Sequence, residues 1–233
     1  MIPAWSEWTP SLLHLFFPRL CAGCGAECPD RIATICLRCL LALPVTHFES
    51  LPGNPVEKAF YGRISLAAAS AGFYFSKGSM MQRILHELKY HHRPELGIQL
   101  GRLLGDRLQA SQRFNADLLI PLPLHARKER QRGYNQATLL CQGIAEALQV
   151  PMRTDIVSRP RFTATQTRKD RIERWANMDG RFRLEQPEAV RGKTLLLVDD
   201  LITTGATLEA CGRALLTAPD VTLSIATLCY AAS

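Results

Sequence analysis

The distribution of hydrophobic and polar positions along the chain predicts strands that alternate with helices. Amphipathic helices are expected at residues 80–90, 95–110, 135–149 and 206–216, and strands at 70–76, 117–123, 195–198 and 221–230. Strands that alternate with helices pair as parallel βαβ units, so the chain from about residue 60 onward is expected to form a three-layer α/β domain. Residues 40–61 are rich in proline and turn formers and lack a sustained period, which is typical of a connector.

The strand at 195–198 is apolar throughout, as in a strand buried on both faces, yet Asp199 and Asp200 follow it directly. In a parallel sheet, ligands bind outside the carboxyl ends of the strands, where these two acids are predicted to lie. The next residues form a Gly-containing turn that opens a helix, and its free N–H groups and hydroxyls suit a phosphate. The predicted phosphate-binding residues are Thr203, Thr204, Gly205, Ala206 and Thr207. Two carboxylates beside a phosphate site suit a ribose 5-phosphate, whose ring hydroxyls would donate to the acids.

Five of the eight cysteines crowd into residues 21–39. Cys21 and Cys24 form one CxxC pair, and Cys36 and Cys39 form a second pair after eleven intervening residues. Four thiolates in this pattern predict a closed tetrahedral Zn²⁺ site, which is structural because no position is left for water or substrate. A pair of disulfides or a thioredoxin-like redox pair is the alternative interpretation. Cys28 has no assigned role.

Composition narrows the class of protein further. The chain is 47% hydrophobic and 21% charged, which is ordinary for a globular protein. Its longest apolar runs fall far short of the roughly 18 residues that a membrane span needs, so no membrane insertion is expected. The first twenty residues lack the basic start and small-residue cleavage site of a signal peptide. We therefore expect a cytoplasmic protein.

The stretch LLLVDDLITTGAT, residues 195–207, resembles the phosphoribosyl pyrophosphate (PRPP) binding motif of type I phosphoribosyltransferases. Together with residues 121–137, residues 163–177 and the N-terminal cysteines, in this order, it resembles the ComF/GntX family over almost the whole chain. The resemblance implies a three-layer type I phosphoribosyltransferase fold, a parallel sheet with helices on both faces. It also implies a small N-terminal four-cysteine domain of zinc-ribbon type. The expected division is 1–45 for the zinc segment, 46–60 for a connector and 61–233 for the phosphoribosyltransferase-like domain.

The resemblance also implies roles for charged residues. Asp199 and Asp200 would hold the ribose hydroxyls at the catalytic centre, and Mg²⁺ would accompany PRPP. The remaining PRPP-binding residues would be Arg127, Lys128 and Arg132 in a basic turn after a strand, and Arg174 in a loop that closes over substrate, where Thr165, Gln166 and Asn177 also match the family spacing. For each basic residue of the turn, a solvated surface charge is the competing interpretation.

Two functions remain open at the level of sequence. The resemblance implies a phosphoribosyltransferase associated with nucleotide metabolism and with DNA uptake or utilisation in natural competence; no acceptor is identified. The alternative is a non-enzymatic PRPP- or nucleotide-binding module that binds single-stranded DNA or a DNA-uptake protein. The net charge of +7 suits both. His86, His91 and His92 are interpreted as a hydrated helix end, because no acid is expected at ligand spacing on the same face.

Overall fold

The computed structural model describes residues 20–28, 33–160 and 181–232. Its strands are β1 (Ala68–Phe75), β2 (Leu118–Pro121), β3 (Val157–Ser158), β4 (Arg183–Leu184), β5 (Thr194–Ile202) and β6 (Thr222–Ala231). Its α-helices are α1 (Leu37–Leu41), α2 (Pro55–Lys58), α3 (Met80–Tyr90), α4 (Pro94–Ser111), α5 (Ala126–Arg132), α6 (Gln136–Leu148), α7 (Pro187–Val190) and α8 (Ala206–Leu215). A 3₁₀ helix spans Phe48–Ser50.

The central sheet is parallel and has the strand order β1-β6-β5-β2. Strands β3 and β4 form a separate antiparallel ladder. Side chains alternate along β5: Leu196 and Val198 belong to the core that contains α3, α4 and α6, whereas Leu195 and Leu197 belong to the core that contains α8. The sheet therefore lies between two helical layers, and the predicted three-layer α/β fold is confirmed.

Helices α4 and α6 pack closely because small residues face each other. A Cβ on Gly101 would lie 2.3 Å from the carbonyl oxygen of Leu140, and one on Gly143 would lie 2.1 Å from that of Ile98. Neither position can hold a larger residue at this backbone separation. The two helices therefore lie close together in the layer whose core also contains residues of α3.

The cysteine segment and the residues after it pack directly on the α/β core. Cys21, Cys28 and Ile35 share one buried cluster with residues of α3 and α4. Val45 forms an antiparallel bridge with Phe73, which attaches the chain to β1. Phe48 and the helix α2 then cover the other face of the sheet. The predicted domain boundaries stay a prediction.

Two elements differ from the sequence expectation. Strand β5 continues through the acid pair to Ile202, because Asp199 and Leu201 pair with Thr227 and Cys229 of β6. The predicted basic turn after β2 is the helix α5, which His125 caps by accepting from the N–H of Arg127 at 3.2 Å. Within the described ranges, no helix combines the length and hydrophobicity of a membrane span.

Candidate functional site

The acid pair lies in the last part of β5, at the carboxyl edge of the sheet. Both residues are half-buried, and the Asp199 Oδ1 accepts a hydrogen bond from the N–H of Asp200 at 2.8 Å. Burial, together with the negative charge of Asp200, raises the pKa of Asp199 to about 8. That single hydrogen bond and the positive charges of Lys89 and Arg159 act in the opposite direction but do not cancel the rise. The protein therefore maintains a carboxyl group here that resists ionisation.

Lys89, in the last turn of α3, is the direct partner of this pair. Its Nζ lies 2.6 Å from the Oδ2 of Asp200, and the two side chains are only 20% and 14% exposed. A salt bridge this shielded from water is screened less than a surface pair. Helix α3 thus supplies the positive charge that compensates one of the two acids.

The segment after β5 has the geometry of an anion-binding turn. Gly205 adopts φ +75° and is the N-cap of α8, while Thr203, Thr204 and Ala206 are exposed and Thr207 is half-buried. Among the described residues, no N-cap side chain satisfies the first N–H groups of α8, and the hydroxyl of Thr204 reaches the N–H of Ala206 only at 3.5 Å. These donors are available to a ligand.

Arg63 holds this turn from the side. Its Nη1 donates to the carbonyl of Thr204 at 2.9 Å and to that of Ala59 at 2.8 Å, and its guanidinium also pairs with Glu209 of α8. The backbone of the turn is therefore anchored at its carbonyl side, which leaves the N–H side free.

The carboxyl end of α3 also contacts the basic helix α5. The Arg132 guanidinium lies over the ring of Tyr90 at 5.7 Å, and the Tyr134 hydroxyl donates to the carbonyl of Leu88 at 2.6 Å. Since Lys89 lies between Leu88 and Tyr90, one helix end joins the acid pair to the basic segment. Arg132 is half-buried, whereas Arg127 and Lys128 are exposed on the first turns of α5.

The structure thus connects some predicted site residues and leaves others apart. Asp199, Asp200 and the turn 203–207 are continuous in β5 and α8, and Arg132 is joined to them through α3. Arg174 lies outside the described residues. The sequence interpretation missed Lys89, Arg63 and Arg159 as neighbours of the site. The amphipathic pattern of α3 carried one signal for Lys89, because this lysine directly follows the buried Leu88 and so lies next to the apolar face of the helix.

The four cysteines of the two CxxC pairs meet in one cluster. Their sulfurs all lie within 4.8 Å of one another, and those of Cys24 and Cys36 are 3.8 Å apart. Zn–S bonds of 2.3 Å in a tetrahedron place sulfurs roughly 3.8 Å apart, so the arrangement fits a Zn²⁺ ion. Cys28 is buried but is not part of the cluster.

The environment of Cys21 favours the thiolate that a metal requires. Burial raises its pKa, but N–H donors from Cys36, Cys24 and Gly23 outweigh that effect and lower the pKa to about 6. Two of these donors, Cys36 and Gly23, lie 3.3 Å and 3.4 Å from the sulfur. Burial raises the pKa of Cys39, so this sulfur needs a cation to lose its proton.

Comparisons with known proteins found a matching family model, curated relatives and a solved structure. Residues 135–233 match the family model "Phosphoribosyl transferase domain". DNA utilization protein YhgH of Shigella flexneri is 32% identical over 216 residues, which cover 90% of this chain and 89% of the relative. Competence protein F of Haemophilus influenzae is 29% identical over 196 residues, which cover 84% of this chain and 77% of the relative. The structural match to the B. subtilis glutamine PRPP amidotransferase complexed with ADP and GMP covers 60% of this chain and 30% of that protein's chain, with a TM-score of 0.42 and 20% identity.

The parallel three-layer sheet and the matched domain place the protein in the phosphoribosyltransferase class of folds. The extent of its likeness to the curated relatives is more specific. The chain belongs to the ComF/GntX family, and its four-cysteine cluster lies near the N-terminus of that fold.

Proposed function

We propose that the carboxyl edge of the sheet binds PRPP as its Mg²⁺ chelate and that the protein is a phosphoribosyltransferase that serves DNA utilisation. Asp199 and Asp200 hold the ribose hydroxyls, and residues 203–207 hold the 5-phosphate. Arg132, with Arg127, Lys128 and Arg174, binds the pyrophosphate. The observation that carries the proposal is that the acid pair near the end of β5 is followed closely along the chain by the start of α8, which has no side-chain cap.

The charges of the described residues support this assignment. A ligand with hydroxyl donors and a phosphate satisfies both halves of the site at once, because the acids accept and the α8 N–H groups donate. Lys89 pairs with Asp200 and orients that side chain. Mg²⁺ belongs to the ligand: carboxylate and phosphate oxygens are the donors that this ion prefers.

In the proposed reaction, the bond between C1 of the ribose and the pyrophosphate breaks, an acceptor nucleophile forms a new bond to C1, and pyrophosphate leaves. Positive charge develops on the sugar ring, and negative charge grows on the departing pyrophosphate. The chain's own contribution is electrostatic, since Arg132 and its neighbours oppose the negative charge while the two acids fix the ring. When bound, Mg²⁺ adds charge stabilisation on the leaving group.

We also propose that the cysteine cluster holds one Zn²⁺ ion in a structural role. The sulfur separations and the N–H donors to Cys21 support a closed four-thiolate site. The cluster packs against α3, which also carries Lys89. Zinc would therefore stabilise the support of the proposed PRPP site without taking part in its chemistry.

Ligand-induced thermal stabilisation, with calorimetry as a second readout, tests the binding proposal. At Mg-PRPP concentrations about 100 times Kd, mass action stabilises a protein by about 2.7 kcal/mol, or about 5–10 °C for a chain of this size. Asp200→Asn should abolish the shift, because it removes the acceptor charge and the partner of Lys89. Asp106→Asn, an exposed acid on α4, is the matched control and should retain it.

Turnover then separates an enzyme from a binding module. Pyrophosphate release from Mg-PRPP in the presence of a panel of bases and amines is expected for the enzyme. Binding of Mg-PRPP without pyrophosphate release in the presence of any acceptor would favour the non-enzymatic module. The affinity of that module for single-stranded DNA should fall steeply with salt. Absence of both heat and thermal shift with millimolar Mg-PRPP would refute the PRPP site itself.

A further inference from the structure

A second group of metal-ligating side chains lies at the end of α3, outside the cysteine cluster. The ligand atoms of His86, Glu87 and His91 all lie within 4.8 Å of one another. The Nε2 of His91 is 3.8 Å from the Oε1 of Glu87, and the rings of His86 and His91 are 5.4 Å apart at their centroids. Glu87 supplies the carboxylate that the sequence interpretation of the histidines did not place.

These three side chains lie at the carboxyl end of α3, a helix that is capped at its start and packed into the core. Glu87 and His91 are four positions apart, which places them on neighbouring turns of one helix face. The helix is capped by Ser79, which accepts from the N–H of Gln82 at 3.2 Å, and it buries Ile84 and Leu88 in the core. Tetrahedral nitrogen and oxygen ligands on Zn²⁺ lie roughly 3.3 Å apart. Separations of up to 4.8 Å therefore have to shorten when a metal binds, and both imidazoles are exposed.

The two oxygens of Glu87 have separate neighbours. Arg93 Nη1 lies 3.5 Å from Oε2, whereas Oε1 faces His91. A basic partner at Oε2 orients the carboxylate, as residues that bind the side chains of metal ligands commonly do. Arg93 is itself fixed, because its Nη1 also donates to the carbonyl of Leu20 at 2.9 Å. The Oε1 of Glu87 is thus left for a cation.

Two of the three residues, His86 and Glu87, also line a cavity that includes residues of the cysteine segment. The cavity has a volume of about 440 Å³, and Cys21 and Cys24 line it as well. Water in the cavity can complete the coordination of an ion that has only three protein ligands. Open coordination distinguishes this site from the closed cysteine cluster.

From this geometry we propose that His86, Glu87 and His91 form a second, open site for a divalent transition metal of the Zn²⁺ type. Two imidazoles and one carboxylate are the donor set of open zinc sites, and they favour zinc, cobalt or nickel over calcium or magnesium. The neighbouring His92 is not a ligand: it packs edge-on against the ring of Tyr134 at 6.3 Å.

Cobalt titration of tag-free, full-length protein that has been loaded with one equivalent of zinc tests this site. We expect a further equivalent of Co²⁺ to bind and to give weak visible bands without a sulfur-to-cobalt charge-transfer band, since no thiolate takes part. His91→Gln should weaken this binding at least about 10-fold, the lower end of what even outer partners of metal ligands produce. His92→Gln is the matched control and should bind as the wild type does.

The outcomes separate the two metal sites. Cobalt that binds with a charge-transfer band has entered the cysteine cluster and is counted apart from this site. The proposal is overturned if the wild type binds no cobalt without that band. It is equally overturned if His91→Gln binds as tightly as the wild type, or if His92→Gln loses affinity to the same extent.

Discussion

The cysteine cluster and the carboxyl edge of the sheet are assembled in opposite ways. All four sulfurs come from residues 21–39, and two local turns bring them within 4.8 Å of one another. At the sheet edge, Asp200 meets Lys89 of a different layer, and Arg132 reaches the same helix end through Tyr90. One site is complete within a short segment, whereas the other exists only when the sheet and α3 are packed together.

The two sites also differ in what shifts the pKa of their ionisable groups. At Cys21, backbone donors from the same segment outweigh burial and lower the pKa of the thiol to about 6. At Asp199, burial and Asp200 outweigh the available partners and raise the pKa to about 8. The cysteine segment is prepared for a cation by its own backbone. The acid pair is only partly compensated by the fold, as is common where a protein maintains a site for a ligand.

The largest effect is expected at the self-contained site. Cys21→Ser should reduce bound zinc from about one equivalent to almost none and lower the melting temperature more than any other change below. Structural zinc in small domains binds with about 10–16 kcal/mol, which is lost with the site. Because Cys21 packs on the core of α3 and α4, we expect that layer to loosen as well. Elemental analysis and thermal unfolding measure both effects.

Cys28→Ala is the control for that substitution. Cys28 is equally buried but lies outside the four-sulfur cluster, so zinc content should be unchanged. A full zinc equivalent in Cys21→Ser, or its loss in Cys28→Ala, would show that the ligands have been assigned wrongly.

At the sheet edge, Gly205→Ala should cost about 1–3 kcal/mol of stability through backbone strain and crowding. Gly205 has φ +75°, and an added Cβ would lie 3.0 Å from two ring atoms of Phe60. Gly192→Ala is the matched control, since its φ is +66° and a Cβ there would meet open space. Chemical denaturation should show a larger loss for Gly205→Ala, and equal losses would exclude a role for Phe60.

Removing the partner of Asp200 should have a smaller effect. Lys89→Met leaves a half-buried carboxylate unpaired, for which we expect a loss of about 1–2 kcal/mol, between the values for exposed and fully buried pairs. The double variant Lys89→Met/Asp200→Asn should regain most of that stability, whereas Lys77→Met, at an exposed lysine, should change little. A double-mutant cycle in urea measures the coupling, and strict additivity would argue against the salt bridge.

At pH 4 the smallest effect is expected from Asp199→Asn, and this effect depends on pH because the substitution removes a titrating group. An unfolded chain releases the Asp199 proton near pH 4, but the folded protein retains it up to about pH 8, so wild-type stability falls as pH rises through this window. Asparagine carries no titrating proton and keeps the oxygen that accepts from Asp200. The variant's advantage should therefore grow from pH 4 to pH 8. Melting curves across that range, with Asp106→Asn as a flat control, check the sign.

Several elements could be predicted from the chain because their signals are local. The four long helices begin and end within one residue of the expected positions, since apolar spacing and capping residues mark them. Strand β5 was expected to stop at Val198, but pairing with β6 extends it to Ile202. The basic segment was expected to be a turn, but the imidazole cap of His125 and seven residues without proline allow a helix.

The sequence by itself determined the α/β pattern, the two CxxC pairs and the order of acid pair, turn and helix in residues 195–207. These features need only neighbouring residues and the periods of strand and helix. Tertiary structure alone decided that Lys89 compensates Asp200 and that Arg63 anchors the turn. These contacts depend on the strand order β1-β6-β5-β2 and on how the helices and loops pack against this sheet. The spacing of residues along the chain does not encode either feature.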